Sequence, residues 1–490
     1  MKLHFLGAAK TVTGSQYLLE TAHGVIMVDC GMYQGPAHMR EQTSPVSRVP
    51  AEDVRALLLT HAHIDHSGHL PWLVRLGYQG PIFATPATTD LCSIMLADSA
   101  HIQEEDARHD LRKWQKRGHI GPPPEPLYTQ DDVPPTMALF QQVRYGAMVE
   151  IIPGVRARWR DAGHILGAAC IEVWVEEDGH EAKIIFSGDI GQTGRPLIRD
   201  PEVLEDADFV VTESTYGNRR HESQELKLGR LLEIIQRTIR NHSHIIVPAF
   251  AVGRTQELLY ELNALVEQNQ VSRFPVYVDS PLATAATEIY SRHRECLDDE
   301  TRALLNRGDD PLDFRGLRFT REVSESMALN KLKGPLMIIS ASGMATAGRV
   351  RHHLANHLEH GDDTILIVGF QAVGTLGRLL RDGATRVKLL GKNLRVRSRV
   401  VEMLGYSAHA DAEGLLAWLE PIKGPRAVFV LHGEEPAALD YAALAHRRLG
   451  APTLVPDYGE TVDLSSADEI TGRLAQMEST WRRPATIREA

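Results

Sequence analysis

Short stretches of alternating apolar and polar residues open the chain: Leu3 to Gly7, Gln16 to Glu20 and Val25 to Asp29, the last two joined around His23-Gly24. Strand side chains point alternately to opposite faces, so a period of two predicts a β-meander. A continuous apolar run from Ala56 to Thr60 predicts a buried strand, and helical spacing begins near Leu70 and again over Thr88 to Arg117. Strands return between Glu150 and Phe186 and at Phe209 to Thr212. After about Asn218 the texture changes. Helical segments such as Gln224 to Arg240 alternate with short apolar strands at Ile245 to Val247, Val276 to Val278, Leu336 to Ile339 and Ile365 to Val368. That alternation predicts a separate doubly wound α/β unit with a parallel sheet. From Arg386 the chain reads as strands again, then a helix at Asp411 to Leu419, a strand at Ala427 to Leu431, a helix near Pro436 to Leu449, and a polar tail after Glu478.

With 490 residues, 43% hydrophobic and 24% charged, two or three domains are expected. Met1 leads straight into a strand pattern, and no apolar run is long enough to span a bilayer, so a cytoplasmic enzyme with no membrane partner is expected. Cys30, Cys92, Cys170 and Cys296 form no CxxC pair, which argues against a thiolate zinc site and against a disulfide framework. The net charge of −11 excludes a uniformly basic nucleic-acid binder, but one stretch runs against it. Arg378, Arg381, Arg386, Lys388, Lys392, Arg395, Arg397 and Arg399 have only Asp382 as an acid among them, so phosphate attraction is concentrated there.

The strongest chemical signal is His61-Ala62-His63-Ile64-Asp65-His66, placed where the Ala56–Thr60 run ends. Neutral imidazole and carboxylate are the usual non-sulfur ligands of zinc. Alternate residues of a turn can aim His61 and His63 at one ion, leaving Asp65 and His66 to face a second. Asp161-Ala162-Gly163-His164 and Phe186-Ser187-Gly188-Asp189 supply further donors, and the Asp189 carboxylate is able to bridge two metals. Asp29, at a strand end, either orients a ligand histidine or caps a turn.

Asp29, the HxHxDH run, His164 and Asp189 resemble, in order, the motifs of metallo-β-lactamase fold hydrolases. Thr212-Glu213-Ser214-Thr215-Tyr216-Gly217, Ser407-Ala408-His409-Ala410-Asp411 and Leu431-His432-Gly433-Glu434 resemble the additional motifs of the β-CASP branch, whose members process nucleic acids. Val247-Pro248-Ala249-Phe250-Ala251-Val252-Gly253-Arg254 and Ser340-Ala341-Ser342-Gly343-Met344 are similar to further β-CASP signatures. The chain is thereby identified as resembling β-CASP RNA-processing ribonucleases, the group of the pre-mRNA 3′-end cleavage endonuclease.

This resemblance implies an α/β fold: a metallo-β-lactamase αββα sandwich formed by residues 1–214 and 386–490, split by a β-CASP domain over 215–385. It implies two zinc ions per chain, one held by His61, His63 and His164, the other by Asp65, His66 and His432, with Asp189 between them. His409 matches the general acid, Glu213 its supporting carboxylate, and Asp65 and Asp29 complete the catalytic set. Ser340, Ser342, Gly343, Arg254 and Arg378 match substrate-binding positions. Histidine at 432, where DNA-processing relatives carry valine, implies single-stranded RNA as partner. The expected reaction is endonucleolytic phosphodiester hydrolysis by a metal-bound hydroxide, with His409 protonating the leaving oxygen. Three alternatives stand beside it: a 5′-exoribonuclease of the same family, a small-molecule thioester or lactam hydrolase, and a silent RNA-binding scaffold. Oligomeric state is left open, a homo-oligomer included.

Overall fold

The computed structural model describes residues 1–34, 48–117, 121–271, 274–478 and 488–489, so most of the polar tail lies outside the described residues. Two seven-stranded sheets pack face to face. In the first the strand order is Glu460–Asp463, Lys2–Phe5, Tyr17–Thr21, Gly24–Val28, Val54–Leu58, Ile82–Ala84, Phe140–Gln142. In the second it is Thr453–Leu454, Ala427–Val430, Phe209–Thr212, His180–Phe186, Ala169–Glu177, Val155–Asp161, Met148–Ile152.

The period of two in the sequence becomes a division between two cores. Leu3, Phe5, Leu19, Ile26 and Val28 of the first sheet meet Ile171, Val173, Phe186, Val211 and Phe429 of the second in one buried cluster. Their neighbours Leu18, Met27, Leu57, Ile185, Val210 and Val428 point the other way, into a core shared with the helices. Across the sandwich the Phe5 and Phe429 rings lie 5.2 Å apart and Tyr17 and Phe186 5.8 Å. Truncating one such buried ring typically costs about 3–5 kcal/mol. Helices Pro86–Arg117 and Glu435–Leu449 contribute to the helix-side core through Leu91, Leu96, Tyr441 and Ala442. All four cysteines are buried and unpaired.

A six-stranded sheet follows in the order Leu317–Phe319, Val276–Val278, Leu336–Ser340, His244–Pro248, Thr364–Ile367, Arg399–Glu402, and every pairing in it is parallel. Its helices include Gln224–Asn241, which Ser223 caps by accepting from the Leu226 amide, and Arg254–Glu267. The last strand lies beyond the boundary expected at 385. Arg399–Glu402 pairs along its length with Thr364–Ile367. Strand character is legible locally, but which sheet a strand joins is a non-local matter; we place the end of the inserted unit after Glu402. On either side of the insert, Phe209–Thr212 and Ala427–Val430 are adjacent parallel strands of one sheet, so chain exit and re-entry are neighbours. Among the described residues no helix is long and apolar enough to cross a membrane.

Because the six strands are parallel, the loops after Pro248, Val278, Ser340, Ile367 and Glu402 all open on one edge. That edge faces the sandwich: the Phe250 ring lies 6.4 Å from His63, and the Phe370 ring 6.2 Å from Tyr216.

Candidate metal centre

The HxHxDH run leaves strand Val54–Leu58 through Leu59 and Thr60, and His63 sits at the N-terminus of a one-turn helix, Ile64–Ser67. The neighbouring strand end clamps it. Cys30 N donates to His66 O at 2.8 Å and Met32 N to Ile64 O at 2.9 Å. Gly31 is required at this crossing, because any Cβ there would collide with the Asp65 carbonyl oxygen. Asp29 and His432 both occupy the left-handed region, at φ 57° and 47°, each just past a strand, a backbone state uncommon outside glycine.

Two groups of donor atoms result. His61 Nε2 and His164 Nε2 lie 3.1 and 3.2 Å from His63 Nδ1, and Asp189 Oδ2 is 3.4 Å from both His61 and His164. In the second group His66 Nε2 is 3.2 Å from His432 Nε2, which is 3.4 Å from Asp65 Oδ2. Asp189 Oδ1 lies 3.3 Å from His66 Nε2, so the two oxygens of one carboxylate serve different groups.

Local hydrogen bonds fix which ring nitrogens face inward. His66 Nδ1 donates to Asp29 Oδ2 at 2.7 Å, so in the neutral imidazole Nε2 carries the lone pair. The single hydroxyl proton of Thr60 goes to Asp29 Oδ2, so that hydroxyl accepts from His61 Nδ1 at 3.1 Å and again leaves Nε2 free. Thr215 repeats the device, giving its proton to the His432 carbonyl and accepting from His432 Nδ1. Each orients an imidazole as a ligand. Burial, the largest influence, depresses the pKa of His61 and His164 and takes His63 to about 3, so these rings are neutral.

The donor set fits zinc. Ligands on a tetrahedral zinc at about 2.0–2.1 Å stand about 3.3 Å from one another, the spacing found in both groups. Lone pairs facing lone pairs repel unless a cation lies between them. Asp29, Asp65, Asp189 and Glu213 are gathered with no Lys or Arg ion-paired to any of them among the described residues, so histidines are their only cationic side-chain partners and a metal would offset the remaining negative charge. A third histidine–aspartate group, His244, His357 and Asp363, fails the same test. There His357 Nδ1 donates to Asp363 at 2.7 Å and His244 bonds both Asp363 and the Leu332 carbonyl, which are ordinary hydrogen bonds.

His409 stands beside the cluster. Its Nδ1 lies 3.0 Å from Glu213 Oε2 and 3.7 Å from Asp189 Oδ2. Burial alone would depress this imidazole, but Glu213 and Asp189 outweigh it and hold the pKa above the ordinary value. Glu213 is in turn fixed by the Ile190 amide at 2.7 Å. Sequence reasoning missed the groups that hold the His409 loop: Gln192 Nε2 donates to the Ser407 carbonyl at 2.7 Å, and Arg195 donates to that carbonyl while pairing with Glu257 of helix Arg254–Glu267. It also missed the orienting roles of Thr60, at the end of a predicted strand, and of Thr215, inside a quoted motif.

The expected substrate-binding residues separate. Ser342 and Arg378 are partly exposed; Ser342 contacts Thr346, and Arg378 pairs with Asp382 and approaches Glu434, two residues beyond His432. Gly343 is buried against the Phe250 ring, and only glycine fits, since a Cβ would lie 2.6 Å from it. Ser340 and Arg254 are buried, and Arg254 lines a cavity that also includes His164. The Ser340 hydroxyl is fully buried and donates to the Asp279 carbonyl at 2.9 Å, and Arg254 is held by Glu257 in the interior.

The sequence matches the Metallo-beta-lactamase superfamily over residues 10–79, the Beta-Casp domain over 255–380 and the Zn-dependent metallo-hydrolase RNA specificity domain over 393–456. It is 33% identical over 462 residues to Ribonuclease TTHA0252 of Thermus thermophilus, covering 94% of this chain and all of that one. This chain belongs to the β-CASP family of metallo-β-lactamase fold hydrolases. Other relatives of this β-CASP hydrolase include the RNase J-like protein of Methanocaldococcus jannaschii, 29% identical over 93% of this chain and 98% of that one. Transcription termination factor FttA of Methanosarcina mazei is 29% identical over 94% of this chain and 71% of its own. A solved protein of unknown function from Enterococcus faecalis shares the fold, with a TM-score of 0.51 at 13% identity over 94% of this chain and 99% of that one.

Proposed function

We propose that this β-CASP hydrolase is a ribonuclease that binds two zinc ions and hydrolyses phosphodiester bonds within single-stranded RNA. The observation that carries the reading is the pair of donor groups sharing Asp189, with the His409–Glu213 pair 3.7 Å from that same carboxylate. A relative that bears the name ribonuclease aligns over its whole length, and a match to an RNA specificity domain spans the His409 and His432 motifs.

His61, His63 and His164 would hold one zinc, Asp65, His66 and His432 the other, with Asp189 between them. When bound, zinc lowers the pKa of water and offsets charge on the phosphate. The chain's own residues do the rest. Asp29, Thr60 and Thr215 hold the imidazoles in the tautomers that face inward. Glu213 keeps His409 charged and its Nδ1 occupied, leaving Nε2 to deliver a proton to the departing oxygen. The inserted sheet's loops, carrying Phe250 and Phe370, form the other wall of the cleft.

The test is incubation of the purified protein with end-labelled single-stranded RNA, with and without chelator, followed by sizing of the products. Metal-dependent internal fragments are expected. Hydrolysis of a lactam or thioester with no cleavage of RNA would overturn the assignment, and mononucleotides released only from 5′ ends would replace internal cleavage by exonucleolytic action.

A further inference from the structure

Resting on the ribonuclease reading, we propose that the hairpin Arg386–Leu389/Lys392–Arg395 is an RNA-anchoring surface outside the cleft that grips the phosphate backbone of longer substrates. Its inner face is ordinary core: Val387, Leu389 and Leu394 are buried against Leu354 and Leu358. Its outer face carries three cations and one neutral amide. Arg386 and Lys388 lie on one side of the first strand, Arg395 is the direct cross-strand partner of Arg386, and Asn393 that of Lys388. Arg397 and Arg399 continue the row, and all five basic residues are exposed.

Like charges directly opposed in an antiparallel pair destabilise a hairpin, so folding gives no reason for this arrangement. Nor does a neighbouring acid form an ion pair with it. Among the described residues none of these five cations is ion-paired. Asp382 is held by Arg378 and Arg381, Asp363 by His244 and His357, and the Glu359 carboxylate accepts from the Arg395 backbone amide at 3.1 Å. On a chain of net charge −11, an unpaired basic row is the local departure that selects a polyanion, here the RNA backbone.

Position supports a role in the same reaction. Arg378, at the start of helix Leu376–Arg381, approaches Glu434 beside the metal centre, and Arg381 approaches Glu402. The helix then runs into the hairpin. Arg386 follows Arg378 by eight residue steps, which bounds the span at about 28 Å, within reach of a strand a few nucleotides longer than the cleft. A short RNA would be cut without touching the hairpin; a long one would be held by it.

The experiment compares wild type with R386Q/K388Q/R395Q, and with R315Q/K331Q/K333Q, which removes the same charge from exposed positions elsewhere on the inserted unit. Each is assayed on a tetranucleotide and on an RNA of about thirty nucleotides, and thermal unfolding confirms that each variant is folded. The hairpin variant should raise KM for the long RNA several-fold with kcat unchanged, leave the tetranucleotide unaffected, and reduce the slope of log affinity against log salt by about 2, three single-strand phosphate contacts being lost. An unchanged KM and slope, or an equal change in the control variant, would overturn the proposal. So would loss of binding to phosphatidylserine vesicles with RNA kinetics intact, which would assign the face to a membrane. If wild type cleaves no RNA, the ribonuclease reading fails; equilibrium RNA binding by wild type and the hairpin variant then decides the hairpin separately.

Discussion

The Asp29 carboxylate accepts from His66 Nδ1 at 2.7 Å and, through its other oxygen, from the Thr60 amide at 2.8 Å, so one buried acid fixes both a ligand ring and the loop that carries it. Asp29 never meets a metal in this arrangement. Its removal would free His66 to rotate and take its proton on either nitrogen. Asp29→Ala should therefore weaken zinc binding by about 10–100-fold, as measured by competition with a calibrated chelator. Unchanged affinity would reduce Asp29 to a turn residue.

His409 and Asp189 are 3.7 Å apart but have different duties, and metal content separates them. Asp189→Ala removes the carboxylate shared by both donor groups and should lower zinc from about two per chain and abolish cleavage. His409→Ala should keep nearly full zinc and still lose at least about 100-fold in rate, the usual contribution of a general acid. Elemental analysis beside single-turnover rates makes the comparison. A His409→Ala protein that cleaves near the wild-type rate would remove it from the mechanism.

The His409 imidazole is held above its ordinary pKa by Glu213 and Asp189 against the opposing effect of burial. A proton donor works in its charged form, which is populated below that raised pKa. Activity should thus be retained below that raised pKa and fall on its alkaline side. Glu213→Gln removes the neighbouring charge, lowers the pKa and should move the alkaline limb to lower pH. A limb that stays in place would mean another group sets it.

The motif histidines and aspartates were legible because each follows a strand whose pattern could be read locally, and the sandwich was legible from its period of two. Other features depend on contacts distant in sequence. Arg399–Glu402 looks like any strand until Thr364–Ile367 is found beside it. Ser340 resembles a ligand-binding position, but its interior partner Asp279 lies 61 residues away at the end of another strand. Arg195 carries no motif at all, and only folding reveals that it joins the His409 loop to the inserted unit.

That junction is an ion cluster in the interior. Glu257 meets Arg195, Lys227 and Arg254, and these cations, against the effect of burial, hold its pKa at about 2. A carboxyl depressed in the folded state contributes stability above its unfolded value, and the contribution is lost as pH falls toward 2. Glu257→Gln leaves buried cations uncompensated and should cost about 3–5 kcal/mol near neutrality. Urea unfolding at several pH values should show the gap to wild type closing in acid; a gap independent of pH would contradict this.

Cleavage should leave a 5′-phosphate and a 3′-hydroxyl. A ribonuclease that uses the ribose 2′-OH as nucleophile needs a free base aimed at the sugar, and the histidines here are committed elsewhere. Those at 61, 63, 66, 164 and 432 turn toward the donor groups, and His409 Nδ1 is occupied by Glu213. Water is then the nucleophile, and His409 protonates the 3′ oxygen as it departs. A single 2′-deoxy substitution at the cut site should slow the reaction only as far as it weakens binding, and mass spectrometry should find no 2′,3′-cyclic phosphate; finding it would reverse the assignment. Internal attack is tested with the same chemistry on a circular RNA. A circle has no 5′ end to enter from, so its conversion to a linear product of full length requires an endonuclease, while an intact circle beside a degraded linear control of the same sequence would show that the enzyme works from an end.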